Sequence, residues 1–150
     1  MTKLEKVLYT ARVHTTGGRD GGNSRTDDGR LDVILSVPSA PGEGTNPEQL
    51  FAAGWSACFL SAVKIVAAKR NIALPHEVTV DAEVDLGISQ TVHHLAARLN
   101  LGLPGVDEEI ARWVVEAASH ICPYSLAVSG NIEVHYGVTA SNRAQEVQHA

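Results

Sequence analysis

Positive charge, sulfur and aromatic surface are all scarce in this chain. Lys and Arg number 12 against 17 Asp and Glu, a formal charge of -5 with histidine neutral. That balance argues against nucleic acid or an anionic membrane surface as a partner, since both select basic patches. No uninterrupted apolar run reaches the ~20 residues needed to span a bilayer. Residues 1–7 hold no apolar stretch of signal-peptide length either. The expected location is the cytoplasm, with no membrane contact. Aromatic residues make up only 5% of the chain. A core drawn from Ala, Val and Leu buries little area per residue, so packing against a second copy would add what one copy lacks. The hydrophobic share of 44% still allows a real core. A chain of 150 residues fits one domain, or one half of an intertwined pair. Cysteine occurs twice. In a reducing compartment a disulfide is transient and catalytic more often than structural.

Both cysteines stand in unusual settings. Cys58 lies within an apolar helical run from Phe51 to Leu60, and Cys122 lies at a helix stop, His120-Ile121-Cys122-Pro123-Tyr124-Ser125. Around them the pattern predicts an α+β plan in the order β-β-α-β-β-α-β. Residues 5–15 form the first expected strand, rich in β-branched side chains. A Gly-rich loop, Gly17-Gly18-Arg19-Asp20-Gly21-Gly22, follows it. Asp27-Asp28-Gly29 is a turn signal, leading into a second strand over 30–37 that ends at Pro38. Asn46-Pro47-Glu48-Gln49 starts a helix. Asn caps it, Pro fits its first position, and Gln49 completes a capping-box spacing. It is expected to run to about Arg70 and to be buried on most faces, being apolar nearly all round. Strands are expected over 77–87 and 93–103. A helix opens after Pro104-Gly105-Val106-Asp107, with Ile110, Val114, Ala117, Ala118 and Ile121 at helical spacing, and ends at Pro123. The last strand covers 130–137, and residues 139–150 form a polar tail.

Taken singly, each notable residue has an ordinary explanation. Cys58 and Cys122 read as inert packing, Arg19 as a solvated turn residue, and Glu48 as a partner of the helix dipole. The glycine run lacks the Lys-Ser/Thr ending of a phosphate-binding loop and opens no helix. His93, His94, His120 and Cys122 lack zinc-ligand spacing. Ser125 sits in no Gly-x-Ser-x-Gly elbow. Trp55, Trp113, Phe51 and Phe59 read as core.

Four segments together resemble the organic hydroperoxide resistance branch of the OsmC/Ohr superfamily. They are Thr16-Gly17-Gly18-Arg19-Asp20-Gly21; Thr45-Asn46-Pro47-Glu48-Gln49-Leu50-Phe51-Ala52-Ala53-Gly54; Ser56-Ala57-Cys58-Phe59; and Cys122-Pro123-Tyr124-Ser125 followed by Gly130-Asn131-Ile132. The likeness spans roughly residues 5 to 138 of a single 1–150 domain. It implies a homodimer with central helices packed between sheets, acting as a thiol-dependent peroxidase that reduces organic hydroperoxides to alcohols. It implies Cys58 as the peroxidatic cysteine and Cys122 as the resolving one, joined in a disulfide during turnover. Arg19 and Glu48 fall on the branch's arginine and glutamate. It implies no cofactor and no metal. The reductant would be a dithiol such as a lipoylated protein. Two other readings stay open: an OsmC-type peroxidase with a different peroxide preference, and a non-catalytic protein that binds apolar ligands.

The chemistry explains why these residue types would be needed. A thiolate is the nucleophile, and an ordinary cysteine with a pKa of ~8.5 is mostly protonated at neutrality. Cys58, well inside a helix and among apolar neighbours, is worse placed still. A guanidinium keeps its charge when partly buried, and Glu48 could hold Arg19 bidentately. Glu48 and Cys58 are ten positions apart on one expected helix, ~15 Å along its axis. Two such helices packed antiparallel about a two-fold axis would bring Glu48 of one copy to Cys58 of the other. Each site is therefore expected to be shared between subunits.

Overall fold

The structure, a computed structural model, describes residues 3–39 and 41–140. The chain divides into two compact units, Met1–Leu50 and Phe51–Ala150. The α+β class is as the pattern implies, with two three-stranded sheets and three helices among the described residues. The order differs from expectation by one extra strand and one extra helix.

In the first unit, β1 (Val13–Thr16), β2 (Asn23–Thr26) and β3 (Asp32–Ile34) form an antiparallel meander. β2 escapes a search for apolar alternation because it reads Asn-Ser-Arg-Thr. Its order comes instead from two ladders, Thr16↔Asn23 to Val13↔Thr26 on one side and Asn23↔Ile34 to Arg25↔Asp32 on the other. The Thr15 and Ser24 hydroxyls add a 2.8 Å hydrogen bond between strands. The strand expected over 5–15 is confined to its last few residues. Leu4, Val7, Leu8 and Tyr9 are 64–86% exposed, and a segment with no neighbour to satisfy its main chain does not become a strand. The second expected strand is likewise shorter, and Leu35 extends it only by a parallel bridge to Thr45.

α1 (Pro47–Lys69) begins where the cap signal places it. The Gln49 N–H donates to Asn46 Oδ1 at 2.9 Å. The reciprocal half of a capping box is not made, because Gln49 Oε1 accepts from Thr45 Oγ1 at 2.8 Å instead. At its C-terminus Asn71 adopts φ +53. The N–H groups of Ile72 and Asn71 return to the carbonyls of Ala67 and Ala68, closing a Schellman motif in which Asn replaces the usual glycine. Within the chain α1 is covered on one stripe, Trp55, Phe59, Ala62, Val63, Val66 and Ala67, not on most faces. Ala53, Ala57, Ser61, Ile65 and Ala68 stay exposed. By length and composition α1 is long and apolar enough to cross a bilayer, with a mean hydropathy of 1.7. Ser56, Ser61 and Lys64 interrupt the apolar run of α1 but lower its average hydropathy too little to change this.

The second unit is built on the sheet β4 (Thr79–Ser89), β5 (Val92–Gly102) and β6 (Glu133–Thr139). β4 and β5 pair antiparallel through a two-residue turn at Gln90-Thr91, and Gln90 takes φ +58 there. β6 returns parallel to β5 after the helical crossover, as parallel pairing requires. Alternate β5 residues Ala97, Leu99 and Leu101 point into the core, each at most 1% exposed. α2 (Glu108–Ser119) is capped by Asp107, whose Oδ1 accepts from the N–H groups of Glu109 and Ile110. Its buried stripe is Ala111, Val114, Val115 and Ala118, one position round from the expected face, so that Ile110 lies 42% exposed. α3 (Pro123–Val128) is the unexpected helix. Pro123 stops α2 and, at the first position of the next helix, starts α3. Residues 141–150, most of the expected tail, lie outside the described residues.

Candidate active site

Arg19 sits on the β1–β2 hairpin. This loop folds back so tightly that a Cβ at Gly22 would meet the Thr16 carbonyl oxygen at 2.1 Å. The Gly22 N–H donates to the Gly18 carbonyl at 3.1 Å. Arg19 makes a two-pronged contact with Glu48, Nη2 to Oε1 at 2.8 Å and Nη1 to Oε2 at 3.4 Å. The pair is unevenly covered, with the arginine side chain 38% exposed and the glutamate 13%. The hydrogen bond and then the charge of Glu48 raise the Arg19 pKa. Burial pushes Glu48 up, but the Arg19 hydrogen bond, its own N–H and the guanidinium charge outweigh that and hold it below the ordinary carboxylate range. The result is a permanently charged guanidinium, oriented by a carboxylate that itself occupies the first turn of α1.

The two cysteines meet within the second unit. Cys58 projects from α1 and is half-buried, while Cys122 is fully buried at the N-cap of α3; both are free thiols. The Cys122 N–H donates to the Ala118 carbonyl at 2.9 Å, which ties it to the end of α2. Burial pushes the Cys58 thiol up. The Tyr124 main-chain N–H opposes this, while the neighbouring Cys122 thiol adds to the rise. Residues far apart in the sequence are thus brought close enough to influence each other by the α2–α3 corner.

Three neighbours of the thiol pair, Trp55, Ser125 and Tyr136, carry a polar role that the sequence pattern left unassigned. Trp55, fully buried, donates from Nε1 to Ser125 Oγ at 3.0 Å. Ser125 is itself buried and faces Tyr136. Burial raises the Tyr136 pKa, Ser125 lowers it by hydrogen bonding, and Cys122 raises it by charge. The Tyr136 ring stacks on Phe59 at 5.5 Å. Tyr124 packs on Phe51 at 5.9 Å, and Phe51 meets Trp55 edge-on at 5.4 Å. Trp55 and Phe59 are core residues as expected, but the indole also secures the residue three places after Cys122. The Cys-Pro-Tyr-Ser spacing was the available signal. Among the described residues no cluster of three His, Cys, Asp or Glu side chains is placed to hold a metal.

Comparison with known proteins places this architecture. The family model for OsmC-like proteins matches residues 40–137. An organic hydroperoxide resistance protein of Xanthomonas axonopodis pv. citri is 45% identical over 138 residues, covering 89% of this chain and 96% of the relative. The crystal structure of an organic hydroperoxide resistance protein from Legionella pneumophila superposes with a TM-score of 0.83 at 38% identity, over 89% of this chain and 99% of that one. The organic hydroperoxide resistance protein OhrB of Bacillus subtilis superposes at 0.80 with 38% identity, over 89% and 100%. The fold defines an OsmC-like protein, and the chain belongs to the organic hydroperoxide resistance branch of that family.

Proposed function

We propose that the chain is a thiol-dependent peroxidase that reduces organic hydroperoxides to alcohols in the cytoplasm and so protects against oxidative stress. One observation carries this reading: two free thiols lie side by side, one half-buried and one fully buried. The Cys58 thiolate attacks the terminal oxygen of ROOH. The O–O bond breaks, the alkoxide leaves and takes a proton, and the sulfur becomes a sulfenic acid. Cys122 then attacks Cys58, water departs, and a disulfide forms. A dithiol such as a lipoyl group reopens the disulfide by exchange. Phe51, Trp55 and Phe59 around Cys58 give an apolar approach that suits alkyl and lipid peroxides.

Burial alone disfavours the Cys58 thiolate, so a cation is required, and Arg19 held by Glu48 is the candidate. We assign that pair to the second copy of a homodimer, acting on Cys58 across the interface. The uncovered apolar residues of segment 4–9 and the bare stripe of α1 support a second copy, since surface of this kind marks an interface. The test is turnover of cumene hydroperoxide with a dithiol. Cys58→Ser abolishes it. Cys122→Ser consumes one equivalent of peroxide and then accumulates sulfinic acid on Cys58, seen by mass spectrometry. A wild type that turns over no peroxide, with both thiols inert to it, would favour a binding protein instead.

A further inference from the structure

Gly54 stands inside α1, where glycine weakens a helix and neither a turn nor a positive φ calls for it. Its reason is Tyr124. A Cβ at Gly54 would lie 2.8 Å from Tyr124 Oη and 3.3 Å from Cζ, closer than such atoms approach. The phenol therefore lies against the bare helix backbone, with its ring leaning on Phe51. Gly54 and Cys58 are four positions apart and share one face of α1, a single turn apart. The Tyr124 main-chain N–H also lies on the Cys58 side and favours its thiolate. One residue thus has its backbone N–H near the sulfur and holds its hydroxyl one helical turn away along the same face. The side chain stays 38% exposed, open to a ligand approaching Cys58.

We propose that Tyr124 is a further catalytic residue, whose hydroxyl donates a hydrogen bond to the alkyl-side oxygen of the hydroperoxide while Cys58 attacks the terminal one. As the S–O bond forms and the O–O bond breaks, the electron pair passes to the alkyl-side oxygen. Sulfur is oxidised by two electrons and the peroxide is reduced. The phenol stabilises the growing alkoxide charge, and the proton released by the Cys58 thiol ends on the alcohol. Gly54 is the positioning residue that makes room for this hydroxyl. The inference rests on the peroxidase reading above.

The test compares oxidants that differ in leaving group, measured as the rate of Cys58 oxidation in full-length wild type, Tyr124→Phe and Gly54→Ala. With tert-butyl hydroperoxide, whose alkoxide is a poor leaving group, each variant is on the order of a hundredfold slower, because one donor to developing charge is lost or displaced. With a peroxy acid, whose carboxylate leaves unaided, the rates match wild type. The pH profile of iodoacetamide alkylation of Cys58 does not move in Tyr124→Phe, which keeps the backbone N–H. Equal slowing with both oxidants would reduce Tyr124 to a structural role, and no slowing with either would remove it altogether; both outcomes overturn the inference while leaving the peroxidase reading intact. Wild type inert to both oxidants would overturn the peroxidase reading, and this inference with it.

Discussion

At the scale of single residues, charge and burial act in opposite directions on the Arg19–Glu48 pair and on Cys58. Burial makes the Cys58 sulfur harder to ionise. Arg19 keeps its charge in any protein, and Glu48 fixes where that charge points. The Glu48 carboxylate has a depressed pKa in the folded chain. The stability it contributes is therefore present above the unfolded value of ~4.3 and is lost as pH falls through the folded value. Glu48→Gln removes that contribution. The urea midpoint of the variant should lie below that of wild type at pH 7, and the gap should close as the solution is acidified below pH ~4. A gap of constant size down to pH ~3 would show that the carboxylate's ionisation does not hold the arginine. The effect is modest because the arginine is more than a third exposed.

At the scale of elements, α1 links the chemistry to the scaffold. Its first turn presents Glu48, its middle presents Cys58, and its buried stripe anchors the core of the second unit. The position of the helix start matters, because one residue of slippage would rotate Glu48 by ~100°. Asn46 fixes that start through its bond to the Gln49 N–H. Asn46→Ala should cost about 1 kcal/mol in chemical denaturation and leave the α2 cap at Asp107 untouched. No loss of stability would mean that Pro47 alone sets the boundary. The α2–α3 corner is the second decisive element. Pro123 ends one helix and opens the next, and the turn between them carries Cys122 into the core beside Cys58.

At the scale of the whole molecule, one copy leaves much apolar surface bare. Leu4, Val7, Leu8 and Tyr9 have no cover, and only 33% of the most apolar window of α1 is buried. A shared site makes a sharp prediction about mixed subunits. On the proposed reading, Cys58→Ser and Arg19→Ala should each be inactive when present in both subunits. A heterodimer of the two contains one site with both Cys58 and Arg19 intact if the arginine acts across the interface, and none if it acts within its own chain. Refolding the two variants together should restore peroxide turnover toward half that of wild type per heterodimer. Absence of any recovery in an isolated heterodimer would confine each site to one subunit.

The amino-acid sequence by itself determined the α+β class, the start of α1 at its Asn-Pro cap, the β4–β5 pair, and the family through four spaced segments. These are local or compositional features: a cap, a glycine turn and an alternation each act over a few residues and can be read there. Tertiary structure alone decided the rest. β2 is a strand because two ladders flank it, although its side chains are polar. α2 buries Ala111 and Val115 because the sheet beneath it selects that face. Pro123 opens a helix because the chain must turn there to continue into β6. The pairing of Cys58 with the buried Cys122, the Trp55–Ser125 bond beneath them, and the fit of Tyr124 over Gly54 join residues up to 70 positions apart. Contacts over such separations depend on how packed elements meet in space, which no local pattern encodes.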